Sequence, residues 1–245
     1  VLHLSGTWKN DVMVQLFDVQ YMIDSIPTIA KGIPVSLSIT LVAFIFGALI
    51  GLAVALLRIY RVAGITQLAI LYVSFMRGTP LVVQIFLAYY GIPLLLRVLA
   101  IHSNISQIPA IYFVYVAFSL NVGAYLSETL RSAILSVAPG QFEAAYSIGM
   151  TTPQALGKIV LPQALTMALP NIGNQFIMLL KDTSLAFIAA VPEIMGEAKI
   201  IAGRTSQFFE VYVVAALIYW AICLLCELFL SLIEHRARKH TAKGS

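Results

Sequence analysis

Polar and charged side chains stand in three places where the surrounding sequence is almost wholly apolar. In the first, Arg77, Gly78 and Thr79 precede Pro80, and Gln84 follows two turns later. In the second, Asn121, Tyr125 and Glu128 recur at i, i+4 and i+7, which puts them on one helical face. In the third, Asn174, Met178, Lys181 and Asp182 fall at i, i+4, i+7 and i+8, again one face, and Thr183 and Ser184 follow directly. Such groups are costly inside a bilayer and face a cavity or a partner. A carboxylate calls for Arg or Lys donors, and an ammonium calls for Asp or Glu acceptors. Both signs are present. Two roles compete: recognition of a charged solute, or ion pairs in which Arg77 or Lys181 meets Glu128 or Asp182 and holds helices together. Glu227, alone beside Cys226, reads as a helix–helix contact. Cys223 and Cys226 form a C-x-x-C inside an apolar helical run with no other cysteine in the chain, so they read as small packing residues and no metal site is expected.

The composition says what kind of elements must carry these groups. The chain has 245 residues, 60% hydrophobic and 11% charged, with a mean hydropathy of +0.91. Soluble domains carry about 25% charged residues, so this chain cannot clothe a water-facing surface and reads as an integral membrane protein. The net charge of +4 is concentrated in the tail "HRARKHTAK", which suits a cytoplasmic terminus and not a nucleic-acid partner. The stretch "VLHLSGTWKNDVMVQLFDVQ" lacks the continuous apolar run of a signal peptide, and an initiator or short leader is expected before Val1.

Five spans are predicted. The first runs from about Ile33 to Leu57, with a G-x-x-x-G at Gly47 and Gly51 that lets another helix approach closely. The second is a single crossing ending near Leu96. Its lead-in helix breaks at Gly78-Thr79-Pro80, because the part before the break is too short to cross alone. The third runs from Pro109 to Leu135, the fourth from Ala164 to Ala190, and the fifth from Val211 to Ile233. Basic residues mark the cytoplasmic side. Arg58 and Arg61 close the first span, and Arg236, Arg238 and Lys239 follow the fifth; an odd number of crossings puts both groups on one side. The N-terminus is then outside and the C-terminus inside. The expected organisation is an extracellular segment over 1–32, an all-α transmembrane domain over 33–233 and a cytoplasmic tail over 234–245. A cytoplasmic insert over 139–162 interrupts the domain.

That insert reads "PGQFEAAYSIGMTTPQALGKIVLP" and is punctuated by prolines and glycines. A short helix over "QFEAAYSI" carries Glu143 in its first turn and is ended by Gly149. A second short helix starts at Thr152-Pro153. Two short helices at an angle make a knob whose apolar stripe, Phe142, Ala145 and Ile148, needs a cover. The competing reading is an ordinary connector lying on the headgroups.

The spacing Glu143-Ala144-Ala145, Gly149, Ile159, Leu161-Pro162 resembles the complete EAA motif of ABC importer permeases. The stretches "RGTPLVVQIFLAYYGIP", "SLNVGAYLSETLRSAILSVAPGQFEAA" and "LPQALTMALPNIGNQFIMLLKDTSLA" are similar to the polar amino-acid subfamily. The resemblance implies a type I ABC importer permease fold, in which the knob seats in a cleft on a separate ATP-binding cassette subunit. It also implies a second copy or paralogue of the permease, and a periplasmic or extracellular solute-binding protein that delivers an amino acid at the loop Pro192 to Arg204. No G-x-x-x-x-G-K-[ST] occurs in the chain, since Gly157-Lys158 is followed by Ile159. The chain is therefore expected to be a transport subunit without cofactor, with ATP and Mg in the partner ATPase. In this frame Asp182 receives the α-amino group and Arg77 the carboxylate, while Tyr125 and Glu128 face the side chain of a polar amino acid, with a lean towards cystine. The rivals are a secondary transporter or channel built on the same buried charges, and a non-transporting membrane subunit that signals to an ATPase.

Overall fold

The computed structural model describes residues 18–99 and 108–241, with side chains as far as 237. The expectations that fall on residues 1–17, and on the side chains of Arg238 and Lys239, lie outside these. Among the described residues the regular structure is entirely helical. We number the helices α1 (Val19–Ile29), α2 (Ile33–Ile59), α3 (Ile65–Gly78), α4 (Leu81–Phe86), α5 (Ile92–Val98), α6 (Ala110–Ser136), α7 (Gly140–Ser147), α8 (Thr152–Ala155), α9 (Leu161–Asp182), α10 (Ile194–Thr205) and α11 (Phe208–Thr241).

The first span begins earlier than expected. Asp18 caps α1 by accepting from the Tyr21 N–H at 2.9 Å. A short 3₁₀ turn, Ala30–Gly32, then carries the helix into α2. The stretch read as an extracellular tail is thus helical from Val19. Its apolar face, Tyr21, Met22 and Ile29, packs on α10 and α11 around Ile194, Ala198 and Val211. Burial of that face explains the difference, since a helix end is stabilised mostly by packing.

The centre of the bundle is the α2–α6 pair. Tyr115 donates to the Ser38 hydroxyl at 3.1 Å. A Cβ at Gly47 would lie 2.2 Å from Val122 Cγ1, and one at Gly51 would lie 3.0 Å from the Gly123 carbonyl. Arg58 reaches Glu128. Residue numbers rise together along both helices, so α2 and α6 run parallel. The G-x-x-x-G therefore serves packing within the chain. Parallel neighbours require one net return between them, which α3 to α5 make. Tyr72 of α3 donates to the Leu120 carbonyl at 2.6 Å, and Tyr89, beyond the break, packs edge-on against Phe113 near the start of α6.

Ala164 and Ala168 of α9 join Ala133, Ile134, Leu56 and Ile59 at the end of the bundle that carries Arg58. From there α9 runs antiparallel to α11: Gly173 faces Leu230 and Glu234, and Thr183 sits 3.5 Å from the Tyr219 hydroxyl. Among the described residues, four helical segments are long and apolar enough to cross a membrane: Val19–Ile59, Leu81–Val98, Ala110–Ser136 and Phe208–Ala237. α9 is not among them. Gln163, Asn171, Asn174, Gln175, Lys181 and Asp182 make it too polar. Two further expectations change. The helix begun at Thr152-Pro153 is no separate element, because a π-helical turn over Leu156–Val160 joins it directly to α9. The loop over Pro192 to Arg204 is the helix α10, capped by the Glu193 side chain.

Candidate functional site

The break between α3 and α4 is held by one amide. Thr79 and Pro80 are extended, so the helix opens its hydrogen-bond ladder there. Gln84, 4% exposed, turns its side chain back across the gap. Its Nε2 lies within 3.1 Å of the carbonyls of Met76 and Thr79 and of the Thr79 hydroxyl. Its Oε1 accepts from Asn121 of α6 at 2.9 Å. Gln84 thus supplies a partner to carbonyls that the helix break frees, and it pins the break to α6.

Beside the break lies a cavity of about 220 Å³, lined among others by Thr79, Asn121, Tyr125, Gln175, Met178 and Asp182. Three widely separated segments meet here. The face of α9 that lines the cavity is Gln175, Met178, Leu179 and Asp182. Asn174 and Lys181 are exposed and stand off that face. No ion pair joins Lys181 to Asp182 among the described residues. Asp182 is the one carboxylate in the lining. Thr183 is buried and spends its hydroxyl on the Leu180 carbonyl at 2.7 Å. Ser184 is half-buried and Gly78 exposed, and neither lines the cavity.

Arg77 lies next to the cavity, its guanidinium 5.5 Å from the centroid of the Tyr125 ring and 3.8 Å from Glu128. Glu128 itself is taken by two other arginines. Arg58 Nη1 donates to Oε1 at 2.5 Å, and Arg131 donates through Nε and Nη2 to Oε2 at 3.3 and 3.2 Å. Glu128 therefore sits at the basic end of the bundle, below the cavity, and is not a lining residue. The i, i+7 pattern that grouped it with Asn121 is correct for the helix face, but seven residues are also about 10 Å of axial rise.

The knob is built at the same end. α7 carries Glu143 and Ala144 outward, while Ala145 is buried. Phe142 packs inward with Leu156, Val160 and Leu161. Of the expected apolar stripe only Ile148, 76% exposed, is left uncovered, together with Tyr146. Gly149 closes the helix at φ 80°; its N–H donates to Tyr146 and that of Met150 to Ala145. Gln154 then accepts from the Thr151 N–H at 2.9 Å, opening α8. Ile159 is half-buried and Pro162 exposed. Burial pushes the Tyr60 phenol above its ordinary range, and Tyr146 adds to the rise. Phe142 and Leu156 share one apolar cluster with Leu56 and Ile59, so the knob rests against the end of α2.

Residues 47–239 match the family described as the inner membrane component of binding-protein-dependent transport systems. The chain belongs to this family. It is 39% identical to the L-cystine transport system permease protein TcyL of Bacillus subtilis, over 94% of this chain and 96% of that one. It is 41% identical to the L-cystine transport system permease protein TcyB of the same organism, over 89% of each. A solved structure described as an amino acid ABC transporter with histidines superposes with a TM-score of 0.77 at 34% identity, covering 90% of this chain and 99% of that one. The all-α architecture of an ABC importer permease is thereby established, and the chain is a multi-pass membrane transport subunit and not an enzyme.

The opposite end of the permease holds a group that sequence reasoning passed over. Glu193 is fully buried. It accepts from Tyr219 at 2.6 Å, from the Met195 and Gly196 N–H groups at 2.9 and 2.7 Å, and from Ser36 at 3.4 Å. Burial raises its carboxyl above the usual range, against the pull of these donors. Gly32 makes the junction possible, since a Cβ there would lie 2.3 Å from the Ile194 nitrogen. This node joins α2, α10 and α11. Its sequence signal was only an acidic residue after Val-Pro. Arg58 and Arg131 were likewise legible as charges but not as partners of Glu128.

Proposed function

We propose that this permease forms the membrane half of an ATP-driven importer for a polar amino acid of the cystine type. The observation that carries the reading is the arrangement of cavity and knob. A cavity with a lone carboxylate and a neighbouring arginine lies between the start of α4, α6 and α9, and an outward-facing EAA knob lies at the basic end of the bundle. Asp182 receives a substrate ammonium and Arg77 a carboxylate. Thr79, Gly78, Tyr125 and Ser184 flank the path, Thr183 and Gln84 brace it, and Lys181 stands at its margin. Glu143, Ala144 and Gly149 meet the ATP-binding subunit. Ala145, Ile159, Leu161 and Pro162 hold the knob's shape. The names of the cystine relatives favour cystine.

The topology proposed is five crossings, with the N-terminus outside and α9 as the fourth crossing, its polar face turned to the cavity. Two permeases, two ATPases that bind ATP and Mg, and a solute-binding protein seated near α10 complete the machine. The deciding experiment is uptake of cystine and other polar amino acids into proteoliposomes holding the full complex, with and without ATP, and with Glu143→Ala. ATP-dependent uptake in the wild type that collapses in the variant is expected. Uptake without ATP would favour a secondary transporter and overturn the reading.

A further inference from the structure

We propose that the pocket where α2 turns into α3 binds a phosphate-bearing anion, the headgroup of an anionic lipid. The pocket holds about 450 Å³ and is lined by Arg58, Arg61, Arg131, Thr66 and Gln67, with an apolar wall that includes Ile70. None of its lining residues is acidic. Glu128 lies behind it and takes one hydrogen bond from Arg58 and two from Arg131. A guanidinium has five N–H donors, so both arginines keep donors for an occupant. Arg61 makes no ion pair among the described residues and is exposed. Arg58, Arg77 and Arg131 gather around the single carboxylate of Glu128, and Arg61 lines the pocket beside Arg58 and Arg131 with no acidic residue in the lining. Phosphate matches forked arginine donors in geometry and sign.

The source of the phosphate follows from the pocket's rim. Val62 and Ile70, which line the pocket itself, are apolar and exposed. A lipid has acyl chains to lay on such a surface, and a free phosphate has none. Basic pockets between spans at the cytoplasmic face are where anionic headgroups bind. The site rests on the proposed topology only for the leaflet it samples.

The test uses the complete complex in nanodiscs of phosphatidylcholine alone, or of phosphatidylcholine with phosphatidylglycerol. Lipid retained through detergent extraction is counted by mass spectrometry for the wild type, Arg61→Ala, Arg61→Gln and Arg97→Ala. Arg97 lies in the last turn of α5, at the far end of the bundle, and serves as the charge-matched control. Wild-type protein should retain phosphatidylglycerol. Both Arg61 variants should lose about fivefold in retention, the worth of one arginine near an anionic surface, and Arg97→Ala should match the wild type. Melting temperatures in phosphatidylcholine verify that the variants are folded. Equal retention by wild type and Arg61 variants, or an equal loss in Arg97→Ala, overturns the site. An Arg61-dependent rise in melting temperature with inorganic phosphate, without lipid retention, overturns the lipid and assigns the pocket to soluble phosphate. The measurement needs neither ATP nor transport, so its failure is distinct from failure of the import reading.

Discussion

Asp182 and Glu128 are both acidic residues in apolar helices, yet their surroundings set them apart. Asp182 faces the cavity without an ion pair among the described residues, and the proposed function gives it a substrate ammonium. Asp182→Asn should abolish amino-acid uptake while leaving the melting temperature of the complex close to that of the wild type. A large fall in melting temperature would make the carboxylate structural. Glu128 is 24% exposed on its side chain and serves two arginines at hydrogen-bond distance. Glu128→Gln strips their counter-charge and should destabilise the complex by about 1–3 kcal/mol, below the 3–5 kcal/mol typical of a fully buried pair because solvent reaches this one. The check is thermal unfolding with ATPase activity as a second readout. Substrate affinity should change less than stability. Sequence spacing put these two residues on cavity-facing stripes alike; only the positions of Arg58 and Arg131 separate their roles.

At the scale of elements, two glycines give opposite tests. Gly47 lies where α2 meets α6, and an added Cβ would be 2.2 Å from Val122. Gly47→Val should force the helices apart and cost about 1–3 kcal/mol, the usual penalty of overpacking, seen as a lower melting temperature. Gly149 has no atom within 4 Å of an added Cβ, but its φ is +80°. Gly149→Val is therefore penalised by backbone conformation alone, about 1–2 kcal/mol, confined to the knob. Its expected signature is a folded complex with lost substrate-stimulated ATP hydrolysis. A Gly149→Val complex that transports at the wild-type rate would sink the coupling role of the knob. The helix ended by Gly149 was legible because glycine at that place has one strong use. The fusion of α8 to α9 was not, since a proline after threonine starts a helix without saying how far it runs.

Across the whole molecule, the parallel α2–α6 pair and the antiparallel α9–α11 pair place the turn at residues 60–64 and the helix α10 at opposite ends. In a cysteine-free background, Ala63→Cys should be protected from an impermeant maleimide in intact cells, and Gly203→Cys should be labelled. Labelling of both from outside would break the five-crossing topology. The same arrangement puts the arginine cluster and the knob at one end of the bundle.

Composition and pattern alone determined that the chain is a helical membrane protein and that helix breaks sit at Thr79-Pro80 and Gly149. Each of these rests on local physics: apolar runs long enough for a bilayer, prolines that cannot continue a hydrogen-bond ladder, a glycine that tolerates positive φ. Tertiary structure alone decided which charges are partners. Periodicity assigns a residue to a face of its own helix, but it carries no information about depth or about what the facing helix presents. Glu128 was drawn away from the cavity by Arg58, seventy positions earlier. Gln84 was committed to Met76, Thr79 and Asn121, and Glu193 to Ser36 and Tyr219. The Arg58–Glu128 and Ser36–Glu193 contacts depend on how closely glycine lets the α2 segment approach α6 and α10, a distance that exists only once the helices have packed.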